Sequence, residues 1–234
     1  MTRLRGILFD KDGTLFDFSM TWEVWAAAFL RRIGQNEDHA AALGDAVGFD
    51  LSSRKFAADS IVIAGTPAEV ADALTDHLPD RSTAEILFLI NDEAEKAPQA
   101  EVVPLMPFVN DLKRKGYRVG VVTNDAEQPA RAHLVAAGVV DLFDFVAGFD
   151  SGFGAKPDAG QLLAFAHKFG IKPEEILMVG DSTHDLVAAH RAGMPAVGVL
   201  TGLARAETLR PFAEDILPDI GHLPAWLDCR HSDD

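Results

Sequence analysis

Two carboxylates one residue apart, Asp10 and Asp12 in the segment Asp10-Lys11-Asp12-Gly13-Thr14, suit chemistry in which one attacks and the other manages a proton. In that division of labour Asp10 attacks phosphorus in line. Asp12 protonates the leaving alcohol and then deprotonates the water that cleaves the phosphoaspartate. Gly13 allows a backbone turn that a side chain hinders. Alone, the segment also reads as an ordinary turn or a fragment of a calcium loop. The loop reading weakens because Thr14, Phe16 and Phe18 stand where further oxygen ligands are needed.

Three more polar clusters supply what phosphoryl chemistry lacks. Thr123 and Asn124 offer a hydroxyl, an amide and backbone groups to a phosphate oxygen, although Thr-Asn is also common turn chemistry. Lys156, just before Pro157, is a cation that can offset charge developing on the equatorial oxygens; a lone lysine is otherwise a solvated charge. In Gly180-Asp181-Ser182-Thr183-His184-Asp185, Asp181 together with Asp10 gives hard oxygen ligands suited to Mg2+. Asp185 is expected to reach the ion through water or to orient Lys156. Asp181 or Ser182 alternatively caps the following helix. His184 has no matching role.

Four apolar runs, at 6–9, 119–122, 176–179 and 196–200, have the composition of strands buried on both faces. Helix-like stretches at 107–115, 128–137, 157–169 and 186–192 alternate with them. The pattern predicts an α/β fold with a Rossmann-like parallel sheet. Asp10, Thr123-Asn124 and Gly180-Asp181 each follow a run, at the carboxyl ends where open sheets bind ligands. Residues 16–103 break the alternation with helical spacing at 20–33, 37–47, 67–77 and 83–97. They are expected to form an inserted α-helical cap domain on a core of 1–15 and 104–234, with Pro104 and Pro107 at the return hinge.

The whole chain of 234 residues carries a net charge of −15, and 16 acidic against 6 basic residues in the insert account for −10 of it. That balance argues against a nucleic-acid or anionic-membrane partner. Cys229 is the single cysteine, so no intrachain disulfide forms and a reducing compartment fits. No run is long enough to span a bilayer and no hydrophobic leader precedes 6–9, which makes cytoplasmic location the expectation. Within the insert, Arg54-Lys55 is a compact basic pair that reads as a solvated helix end or a contact for a second anion. Trp22 and Trp25 read as packing between helices or as a lining for substrate.

Taken together, the Asp-x-Asp-Gly-Thr segment, the strand-end Thr123, the Lys156-Pro157 pair and the Gly-Asp-Ser segment ending in Asp185 resemble the haloacid dehalogenase superfamily. The resemblance covers residues 10 to 185. It implies a Rossmann-like core with a helical cap, and a nucleophile at Asp10 with acid/base work at Asp12. It also implies phosphate contacts at Thr123, Asn124 and Lys156, and Mg2+ on the Asp10 side chain, the Asp12 main-chain carbonyl and Asp181. Asp12 points to phosphatases or phosphomutases, since dehalogenase branches lack it and transport ATPases of the Asp-Lys-Thr-Gly-Thr type carry Thr there. Lys11 is a passing likeness to those ATPases. The layout is similar to the phosphoglycolate phosphatase branch, implying a small phosphomonoester as partner to a monomer or homodimer. A phosphomutase and a non-catalytic binder of phosphorylated ligands are the alternatives.

Overall fold

The computed structural model describes residues 3–57 and 59–232. Six strands, β1 (Gly6–Phe9), β4 (Arg118–Val122), β5 (Phe145–Ala147), β6 (Ile176–Gly180), β7 (Ala196–Val199) and β8 (Asp215–Leu217), form one sheet. Their order is β5-β4-β1-β6-β7-β8 and every pairing is parallel. The first strand in the chain therefore lies centrally, flanked by β4 and β6.

The strands follow from their side chains. Ile7 and Phe9 enter one apolar cluster and Leu8 the other, as the two-residue period of a strand requires. Against the first face pack α6 (Leu105–Arg114), α7 (Glu127–Ala136) and α11 (Leu223–Ser232). Against the second pack α8 (Gly160–Phe169), α9 (Thr183–Ala192) and α10 (Ala206–Leu209). Both faces are covered, which explains why β1 and β6 are continuously apolar.

Between β1 and α6 the chain forms α1 (Phe18–Ile33), α2 (Glu37–Val47), α3 (Ile61–Ala64), α4 (Pro67–Thr75) and α5 (Thr83–Ala94). A small ribbon, β2 (Phe49–Asp50) with β3 (Lys55–Phe56), sits among them. These helices share a third apolar cluster drawn entirely from residues 18–97. Local signals set their starts: Thr66 with Glu69 and Ser82 with Glu85 form capping boxes, and Pro67 occupies the first turn of α4. The segments entering and leaving this layer run side by side. Asp17 N donates to Ala100 O at 2.9 Å and Val102 N to Leu15 O at 3.0 Å. The crossing thus lies at Leu15–Asp17 and Ala100–Val102, while Pro104 caps α6 and Pro107 falls inside it.

Two short strands, β5 and β8, extend the sheet beyond the four sequence-predicted runs. The helix expected from 157 begins at Gly160, because Asp158 N closes a turn on Ala155 O. Arg54 lies on the β2–β3 turn and Lys55 opens β3, neither at a helix end, and Lys55 pairs with Glu23 at 2.8 Å. Among the described residues no helix is long and apolar enough to cross a membrane.

Candidate active site

β1 delivers Asp10 to the middle of the sheet's carboxyl edge, and Asp10 N continues the ladder by donating to Val179 O at 2.9 Å. The chain then turns sharply. Gly13 adopts φ +81°, and a Cβ there would stand 2.4 Å from Asp181 Oδ2, so glycine alone fits. Thr201 clamps the turn from the end of β7, its hydroxyl donating to Gly13 O at 2.6 Å. Gly180 is equally constrained, since a Cβ would meet the Asp185 side chain at 2.4 Å.

Lys156 is the electrostatic centre. Its ammonium donates to Asp10 Oδ1 at 2.7 Å, Asp185 Oδ1 at 2.6 Å and Val122 O at 2.9 Å. All three hydrogens are spent, with the residue only 4% exposed. Burial opposes its charge, but Asp10 and Asp185 outweigh that and hold the lysine above its ordinary pKa. Asp185 is fixed from behind: Ser182 donates to its Oδ2 through N at 3.0 Å and Oγ at 2.8 Å. Ser182 thus caps α9 reciprocally with Asp185, and Asp181 stays outside that cap.

Asn124 lines the cavity and also braces the lysine's backbone. Its Nδ2 donates to Lys156 O and its Oδ1 accepts from Lys156 N, both at 2.8 Å. Those two bonds orient both ends of the amide. Thr123 is buried beside it, its hydroxyl accepting from Asp125 N at 3.1 Å.

Asp10, Asp181 and Asp185 are all buried, with ligand oxygens within 4.8 Å of one another. Burial first, then like-charged neighbours, push Asp10 up to about 7 despite Lys156, and raise Asp181 well above the carboxylate range. Three buried carboxylates against one ammonium form an oxygen-rich, charge-deficient cradle, and a hard divalent cation such as Mg2+ fits that donor set. The Asp12 carboxylate stands apart from the cluster.

Asp12 is held instead by Lys11, whose side chain is wholly buried. The ammonium of Lys11 also lies 3.3 Å from Asp125 Oδ2, 3.0 Å from His133 Nδ1 and 5.4 Å from the Trp22 ring centroid. His133 Nε2 lies 2.7 Å from Ala94 O, so Nε2 carries the proton and Nδ1 accepts from Lys11. Burial, followed by the Lys11 charge, depresses His133 to about 4. Burial lifts Asp125 to about 6, against the pull of Lys11. Sequence reading missed Asp125 and His133 and gave Lys11 no role. Asp125 adjoins the strand-end pair and could have been found there; His133 sits within α7 with no local signal.

A single cavity gathers Asp10, Asp12, Thr123, Asn124, Lys156, Asp181 and Asp185 under the helices that follow β1. Trp22 and Trp25 pack edge to face at 5.1 Å inside the helical cluster and also line this cavity. His184, half-buried, is part of its wall.

A family model described as haloacid dehalogenase-like hydrolase matches residues 4–193. The chain is similar to a phosphoglycolate phosphatase of Rhodospirillum rubrum, 30% identical over 231 residues, spanning 95% of this chain and 90% of that protein. It is also similar to the pyrophosphatase PpaX of Bacillus velezensis, 28% identical with 92% of each covered. The crystal structure of CbbY from Rhodobacter sphaeroides in complex with phosphate shares the fold. Its TM-score is 0.74 at 22% identity, covering 96% of this chain and 99% of that one.

Proposed function

We propose that this chain, which belongs to the haloacid dehalogenase-like hydrolase family, is a Mg2+-dependent phosphomonoester hydrolase working through a phosphoaspartate on Asp10. That it is a phosphatase rests on the family match and on its likeness to phosphoglycolate phosphatases along nearly its whole length. The observation that carries the mechanism is the 2.7 Å contact between buried Lys156 and Asp10 at the end of the central strand. A carboxylate held so by one oxygen has the other available for attack.

In the first step an oxygen of Asp10 forms a bond to phosphorus as the phosphorus–oxygen bond to the alcohol breaks, and Asp12 gives that oxygen a proton. In the second step Asp12 takes a proton from water as the water oxygen attacks phosphorus and Asp10 is released. Lys156 keeps Asp10 in place and offsets charge on the phosphoryl oxygens. The Thr123 hydroxyl is a further phosphate contact, and Asn124 and Asp185 position Lys156. Asp10, Asp181 and the Asp12 carbonyl would hold Mg2+, which supplies charge neutralisation at the phosphoryl group. Residues 16–103 act as a cap that closes the site against water.

Para-nitrophenyl phosphate with and without Mg2+ tests this reading. Metal-dependent release of nitrophenolate and phosphate is expected; no hydrolysis under either condition overturns it. Product analysis with sugar phosphates separates hydrolysis from a phosphomutase, which yields isomerised sugar phosphate in large excess over free phosphate.

A further inference from the structure

Besides the carboxylates, the cavity has an apolar wall that includes Phe18, Trp22 and Trp25 of α1, Val62 and Ile63 of α3 and Val70 of α4. Among the described lining residues no lysine or arginine comes from these helices, and Lys156 is the only one in the cavity. Its three hydrogens are committed to Asp10, Asp185 and Val122. Five aspartates line the same space. The basic pair Arg54 and Lys55 is outside the lining, and Lys11 lies behind it, wholly buried.

A second anionic group on the substrate, a carboxylate or another phosphate, would leave water for this apolar wall without a lysine or arginine of these helices to meet it. Desolvating an unpaired charge is strongly unfavourable. An uncharged apolar group gains instead, by leaving water and lying against indole faces.

From this apolar wall, which brings no lysine or arginine to the cavity, we propose that the substrate is a phosphomonoester with an uncharged, largely apolar alcohol. An aryl or alkyl group fits. Phosphoglycolate and pyrophosphate, the compounds in the relatives' names, do not. The inference rests on the hydrolase reading given above.

The test compares benzyl phosphate, phosphoglycolate and pyrophosphate with the full chain and Mg2+ at matched ionic strength. Benzyl phosphate and phosphoglycolate both release alkyl alcohols, so their ratio reports recognition. The expected kcat/KM for benzyl phosphate exceeds that for phosphoglycolate and pyrophosphate by about 10-fold or more. Val62→Arg, which places a cation on the wall, narrows or inverts the ratio. Binding is read separately by tryptophan fluorescence with the non-hydrolysable isosteres phenethylphosphonate and carboxyethylphosphonate. Tighter binding of the former supports the inference even without turnover. Equal or better use of phosphoglycolate or pyrophosphate, or equal binding of the two phosphonates, overturns it and leaves the hydrolase reading intact. Absence of hydrolysis of every ester overturns the hydrolase reading, and the phosphonate pair still decides the preference of the wall.

Discussion

Lys11 straddles both oxygens of Asp12, 2.8 Å from Oδ1 and 2.7 Å from Oδ2, from a position wholly shielded from water. The ammonium fixes the direction of the carboxylate to which proton transfer is assigned. Lys11→Met should therefore lower kcat/KM for an alkyl phosphate by on the order of 10- to 100-fold, within the range of general acid catalysis. Para-nitrophenyl phosphate should lose much less in kcat/KM, because nitrophenolate departs without a proton. Steady-state kinetics on the two esters checks the split; equal losses on both indicate a merely structural lysine.

His133 joins that lysine to the helical layer through Ala94 O and stays neutral when folded. Its pKa is depressed from an ordinary 6.5 to about 4. The unfolded chain therefore binds the proton more tightly. The stability involved is fully present above pH 6.5 and is lost as pH falls towards 4. Between pH 7 and pH 5 the loss attributable to this group is about 2 kcal/mol by linkage. Urea unfolding of wild type and His133→Gln at both pH values should show a smaller pH-dependent drop in the variant, whose amide can reproduce both hydrogen bonds.

Removing Lys156 leaves Asp10 and Asp185 buried without their shared ammonium. Lys156→Met is expected to cost ~3–5 kcal/mol, the penalty for breaking a buried ion pair from one side. Adding Asp10→Asn to it should recover part of that loss, because one of the stranded charges disappears. Denaturant midpoints of wild type, both single variants and the double variant measure the coupling.

Mg2+ binding to the folded cradle should stabilise the protein with the logarithm of the metal concentration, by about 2.7 kcal/mol at 100 times Kd, read as a raised thermal midpoint. Asp181→Asn should abolish that shift, and chelation should stop turnover in wild type. A metal-dependent shift that persists in Asp181→Asn places the ion elsewhere.

The central strands were legible because Ile7, Val121 and Val179 lie in short continuous apolar runs, whose length and composition mark strands buried on both faces. β5 and β8, three residues each, carry too little pattern and exist by pairing with β4 and β7. Asp10 and Asp181 stood out at the ends of apolar runs and Lys156 beside a proline, and the fold brings the three together. The grip of Asn124 on the backbone of Lys156, 32 residues on, was not legible, because it forms only when the loop containing Lys156 folds against the end of β4. The buried ammonium of Lys11 was invisible for a related reason. Its partners Asp125 and His133 lie 114 and 122 residues away and meet it only through the sheet order.

The covalent role of Asp10 is tested most directly by an acid-quenched reaction of Asp12→Asn with para-nitrophenyl phosphate and Mg2+, followed by mass spectrometry of the protein. Nitrophenolate leaves without help from Asp12, whereas hydrolysis of the acyl phosphate needs it. One phosphoryl group should therefore accumulate on the peptide containing Asp10 and be absent from Asp10→Asn/Asp12→Asn. Turnover by Asp10→Asn at near wild-type rate, with no phosphoryl group on that peptide in Asp12→Asn, would contradict it.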